Sequence, residues 1–298
     1  MHFHTGAGTL MLGSVLGLAA GPLSAEEAVR LPAMAVVSTG VPGENKIVGD
    51  YAQPEWSARR PFPGVSVYVQ PGQQFEFEAG LQDATTPAGV HHREWTQELE
   101  AGLGHRLQLA LENTVANFRE ESGGPLSWRE DSLRLSTRYA LANWGKLPLN
   151  PALGAGWRFN SGAPDALSCQ LVLGDEFTPR LHWAADLQAE RQTSTPRHRE
   201  LTAATALTYS VTNETLNVGV QAQWKQSREL SDPSSVRIEA GPCFQYRPVD
   251  QLHFDCVVLW GREKSRAVHS VLLSFGFEFG KGADDHDDDR ERGGRLAH

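Results

Sequence analysis

The residues of this chain that could do chemistry fall into a few groups, and most point away from an enzyme. His91-His92 stand together in a polar stretch read as a loop, but no serine-centred nucleophile motif and no Asp–His arrangement accompanies them. A hydrolytic site needs a nucleophile, a base and a group that orients the base. Asp284-Asp285-His286-Asp287-Asp288-Asp289 offers the oxygen ligands that hard cations take. A like-charge run of this kind reads instead as a disordered, solvated tail over residues 281–298. Cys169, Cys243 and Cys256 have neither metal-ligand spacing nor an even count. The residues therefore nominate no catalytic group, no metal and no cofactor.

The remaining chemistry lies in ionisable side chains at alternate positions of apolar segments: Glu76, Glu78, Glu98, Glu100, Arg106, Glu112, Arg134, Arg138, Arg158, Asp186, Arg237, Glu239, Asp255 and Glu278. His182, Glu190 and Glu200 follow the same alternation. Between them stand Phe75, Phe77, Leu99, Leu107, Leu109, Leu111, Leu133 and Leu135. Period 2 puts the two classes on opposite faces of a strand. If the apolar face meets lipid, the charges line a lumen, because Arg or Lys facing lipid at mid-depth costs about 2–4 kcal/mol. The carboxylates of the first two strands and Glu278 of the last form an acidic wall on closure, and Arg134, Arg138 and Arg158 form a basic patch a few strands round. Such a lining either sets selectivity in an open pore or pairs across the interior and holds it shut.

The elements that would position these groups are segments of about ten residues, twelve of them between residues 73 and 280. The connections at Gly104-His105, Trp144 to Pro148, Phe177 to Pro179, Thr212 to Glu214 and Pro248 to Asp250 are short. Those between them are mostly longer and more polar, and this alternation predicts both termini on the short-turn rim. Aromatic residues then sort into two belts. Trp95, Trp157, Trp224 and Trp260 fall on the loop side; Tyr139, Trp183, Tyr209, Tyr246, Phe277 and Phe279 fall on the turn side. Two girdles are what an all-β transmembrane, antiparallel up-and-down β-barrel presents to its interfaces, and a soluble β-sandwich has no reason to show them.

Composition agrees. Hydrophobic residues make up 40% of the 298, mean hydropathy is −0.38, and no apolar run after the N-terminus is long enough to cross a bilayer as a helix. A net charge of −9 argues against nucleic acid as a partner. The apolar stretch Leu10 to Ala20 with a small-residue exit at Ser24-Ala25 predicts a signal peptide over residues 1–25. Residues 26–72, rich in Pro and Gly, are expected as an irregular periplasmic or plug-like segment with one strand-like piece, Val65 to Gln70. Arg59-Arg60 beside Trp56 is its expected docking point on the acidic wall, and Ala35 to Gly40 faintly resembles the coupling box of energy-dependent receptors.

The hairpin Thr96-Gln97-Glu98-Leu99-Glu100-Ala101-Gly102-Leu103-Gly104-His105-Arg106-Leu107-Gln108-Leu109 resembles one found in outer-membrane transporters related to the meta-pathway phenol-degradation family. Gln53-Pro54-Glu55-Trp56 to Val67-Tyr68-Val69 resembles a segment of other exported barrels. The resemblance implies a barrel with a transport role and transfers no catalytic residue. The expectation is a Gram-negative outer-membrane barrel acting as a small passive channel. Its partners are a small-molecule solute, outer-membrane lipid with lipopolysaccharide, and the barrel-assembly machinery, which would read Phe279. A plugged structural or adhesion barrel is the main alternative, and a membrane-embedded lipid hydrolase a remote one.

Overall fold

Alternation with the charges inside organises the computed structural model, which describes residues 47–58, 62–65, 69–85, 91–118, 127–195, 198–212, 215–228 and 234–280. Two short strands, β1 (Ile47–Val48) and β2 (Gln53–Pro54), and a single helical turn, α1 (Glu55–Ala58), come first. Twelve long strands follow: β3 (Gln74–Thr85), β4 (His91–Gly104), β5 (Leu107–Phe118), β6 (Ser127–Ala140), β7 (Ala152–Asn160), β8 (Ala166–Thr178), β9 (Leu181–Gln192), β10 (Arg199–Thr212), β11 (Leu216–Arg228), β12 (Ser235–Val249), β13 (Leu252–Glu263) and β14 (Arg266–Gly280). Each pairs antiparallel with its chain neighbours, and β14 closes on β3 with Glu278 opposite Glu76 and Phe277 opposite Phe77.

The exposure pattern inverts that of a soluble protein. Leu111 is 45% exposed and Leu135 50%, whereas Glu76 is fully buried. Packing leucines outward and carboxylates inward is stable only where the outside is hydrocarbon. The girdle positions Tyr139, Trp157, Tyr209, Tyr246, Trp260, Phe277 and Phe279 are likewise exposed, and Trp95, Trp183 and Trp224 partly so. Trp183 and Trp157 give their indole N–H groups to Thr205 (2.9 Å) and Asp165 (3.2 Å), as rings at a polar–apolar boundary require.

Several expectations change. Residues 65, 69 and 70 are not in a strand; the regular structure of this segment lies earlier, in β1, β2 and α1. His91-His92 opens β4 instead of lying in a loop, because β3 and β4 continue to Thr85 paired with His91. On the loop side, β13 and β14 are joined by a tight two-residue turn, Lys264-Ser265, both with φ of about 50–65° (46° and 66°). The connection between β6 and β7 occupies residues 141–151, and it folds back on the interior: the Trp144 N–H donates to the Tyr51 carbonyl at 3.0 Å. All three cysteines are free. The signal peptide, the 35–40 stretch, Arg59-Arg60 and the 281–298 tail lie outside the described residues.

Candidate functional site: a charged lumen over an internal segment

Residues from the 47–72 segment sit against inward-facing side chains of the barrel wall. On one side the wall is built from small residues, which leave the space that large ones fill. Tyr51 and Val69 pack with Ala140, Ala152 and Val172; Trp56, Phe62 and Val65 pack with Ala184 and Ala206. The Trp56 ring stacks on His182 at 4.1 Å between centroids and 9° between planes, and its indole N–H donates to Glu176 at 2.7 Å. Burial pushes the Tyr51 hydroxyl up to about 12, with Arg106 acting in the opposite sense, so it stays a neutral phenol.

Backbone contacts hold the end of the segment. The Gln70 N–H donates to the Gln108 side chain at 2.8 Å, the Gln73 N–H to the Gly102 carbonyl at 3.0 Å, and the His105 N–H to the Asp50 carboxylate. Gly102 is required here: a Cβ at that position would lie 1.9 Å from the Pro71 carbonyl oxygen.

Above the segment two cavities of about 300 and 530 Å³ lie in series. Residues 62–65 line the smaller one together with Glu78, Glu98, Glu100, Glu112, Arg134, Arg138, Asp186 and Asp255. Glu112 and Arg134 also line the larger one, with Arg158, Arg237 and Glu239, nearer the loop side. The lining is acidic on β3 to β5 and basic on β6 and β7. Within it Glu190 receives both Arg134 (3.4 Å) and Arg158 (3.0 Å), Arg237 binds Glu239 (2.5 Å), Lys225 binds Glu200 (2.9 Å), and the Gln170 amide donates to Asp186 (2.6 Å).

Five of the sequence-nominated residues line neither cavity: His182 stacks on Trp56, Glu190 bonds to the lining arginines, and Arg106, Glu76 and Glu278 stand apart. Arg106 falls in the β4–β5 turn with φ of 67°, its guanidinium 5.3 Å from the Tyr139 ring and bonded to the Tyr139 hydroxyl (2.9 Å) and the Leu141 carbonyl (3.2 Å). It belongs to the short-turn rim, because the left-handed turn at His105-Arg106 ends the strand before the alternation reaches it. Glu76 and Glu278 are sealed in a polar cluster within the wall. His253 is bonded to Glu76 (3.0 Å) through Nε2 and to Asp255 (2.6 Å) through Nδ1; Arg247 and Gln74 donate to Glu278 (2.8 and 3.2 Å). Ligand atoms of Glu76, His253 and Glu278 lie within 4.8 Å of one another. Both ring nitrogens and both Glu278 oxygens are already engaged, so the set closes on itself as an ion-pair network.

No family model and no curated protein matches the sequence. Among solved structures, an outer-membrane channel from Pseudomonas putida F1 superposes with a TM-score of 0.54 at 12% identity, over 73% of this chain and 99% of that one. The chain is an outer-membrane β-barrel by fold. The β domain of the Bordetella autotransporter BrkA (TM-score 0.49, 10% identity, 70% and 100% covered) and the KdgM porin (0.45, 11%, 69% and 99%) are more distant likenesses. Identities this low fix the architecture and leave the barrel's cargo to its own residues.

Sequence reasoning missed Tyr51, Trp56, Phe62 and Val69 as interior residues, and His253 and Arg247 as members of the buried cluster. For the last two the signal was present: both occupy inward positions of the alternation in β13 and β12. For the first four it was not, because an irregular segment carries no period.

Proposed function

We propose that this barrel is a passive channel for small polar or charged solutes, narrowed toward the periplasm by its own 47–72 segment. The observation that carries the reading is the serial pair of charged cavities sharing Glu112 and Arg134 and floored by residues 62–65. Carboxylates facing guanidiniums across a narrow lumen orient a dipolar solute and resist a purely apolar one. The segment packs on the wall through apolar surfaces and a few hydrogen bonds, with no covalent tie among the described residues, so displacement is an energetic event and not a bond-breaking one. His91 and His92 bond to Asp83 (2.6 Å) and Glu94 (2.9 Å), so each ring is oriented by a carboxylate at the start of β4.

Planar-bilayer recording tests the proposal. Wild-type protein should give discrete, small current steps, and deletion of residues 47–72 should raise the step several-fold. Silence from both proteins, with the barrels verified as folded and inserted, would assign the molecule to the non-conducting structural class instead.

A further inference from the structure

The lipid-facing surface carries a feature that the lumen does not explain. At the loop-side ends of β9, β10 and β11, Arg199 lies directly opposite both Arg191 and Arg228 in the strand register. All three point outward by the alternation of their strands and are exposed. None of the three guanidiniums makes a hydrogen bond or ion pair among the described residues. Like charges placed directly opposite one another on a sheet destabilise it. A row of three guanidiniums therefore repels itself unless an anion with several oxygens bridges it, which is the geometry guanidinium binds best.

Below the row, on the same outward face, the side chains become short. Cys169 and Ala189 are cross-strand partners between the longer Leu167 and Leu201, and Ala203 follows two residues below Leu201. The result is a furrow: two contiguous apolar grooves of about 640 and 450 Å³ share Cys169, Ala189 and Leu201, and all three arginines border the first. The furrow runs about 13 Å down the strand from Arg191 to Leu187, at the usual rise per residue. An apolar channel with a cationic head, at the barrel end that faces the outer leaflet, matches an amphiphile with phosphate above and acyl chain below.

We propose that this furrow is a binding site for a phosphorylated glycolipid of the outer leaflet, lipopolysaccharide, with a phosphate on Arg191, Arg199 and Arg228 and an acyl chain along Cys169, Ala189 and Ala203. A second copy of the chain is a poor occupant, because a two-fold contact centred on this face sets the arginine row against itself. The proposal rests on the outer surface alone and is independent of whether the lumen conducts.

Native mass spectrometry of the detergent-solubilised full chain tests it, with bis-phosphorylated hexa-acyl lipid A, its monophosphorylated form and inorganic phosphate as separate probes. The wild type should retain one bis-phosphorylated lipid A, and the monophosphorylated form, which still offers one phosphate to the row, within about twofold of it. Retention should fall tenfold or more in R191Q/R199Q/R228Q, and also in Ala189→Phe, which fills the furrow and leaves the arginines intact. Heat-modified gel migration confirms that each variant is folded; if the triple variant fails that check, Arg199→Gln alone carries the comparison. Equal lipid A retention by wild type and variants overturns the site. So does inorganic phosphate displacing lipid A at equal concentration, which would make the row a free-phosphate site. Protein dimers that are free of lipid and lost in Ala189→Phe would likewise overturn it in favour of a copy-to-copy contact.

Discussion

Gly102 shows how one atom decides what fills the lumen. Its missing Cβ makes room for the Pro71 carbonyl, whose oxygen would lie only 1.9 Å from a Cβ there, and the position is otherwise an ordinary inward site of β4. Valine suits a strand, so Gly102→Val should leave the wall folded while forcing residues 70–72 away from it. The expected result is a conductance above wild type without any deletion, read in bilayers; unchanged current would show that the chain end can shift without opening a path. His253 is the opposite kind of residue, one whose removal harms the wall itself. His253→Gln leaves Glu76 and Asp255 buried without the imidazole between them, and breaking a buried ionic set by removing one partner costs about 3–5 kcal/mol. Urea unfolding in detergent should show that loss, and Asp255→Asn, which keeps a hydrogen-bond acceptor for Nδ1, should show less than half of it.

At the level of elements, the 47–72 segment is held by Trp56 more than by any other single side chain, since its ring stacks on His182 and meets both Phe62 and Trp144 edge-on. Trp56→Ala removes that packing and the bond to Glu176, a large-to-small change worth roughly 3–5 kcal/mol where the site cannot collapse. Hydrogen exchange should report it locally: amides of β2 and α1 exchange faster while those of β6 to β10 keep their protection. The contrast between this segment and the strands also marks what was readable in advance. Each strand announces itself within a dozen residues, because lipid on one side and charge on the other impose period 2 on its own sequence, and the register across neighbours then follows from short turns. Trp56 finding His182 is a contact across more than a hundred residues, with nothing periodic to betray it. Arg106 departs from the alternation for a local reason: β5 begins one residue later, at Leu107, and the left-handed backbone of the turn has no faces.

For the molecule as a whole, the sign of the lumen matters more than any pair within it. Among the described residues, carboxylates outnumber cationic groups in the lining of both cavities, and most strongly in the inner one, where Arg134 and Arg138 face Glu78, Glu98, Glu100, Glu112, Asp186 and Asp255. Long-range fields sum over all these groups, and a low-dielectric wall focuses them along the axis. Cations should therefore pass more readily than anions. Under a tenfold KCl gradient the reversal potential should lie on the cation side of zero. Glu98→Gln with Glu112→Gln should move it toward zero, and Arg134→Gln with Arg158→Gln should move it further to the cation side, even though the second pair also strips Glu190 of its partners. Raising salt from 0.1 to 1 M should shrink all three differences, because the Debye length falls from about 10 to about 3 Å and the lining charges cease to act as a unit. A reversal potential at zero in every variant would place the ions on a path that avoids these cavities, and the charged lumen would then be a structural filling and not a conduit.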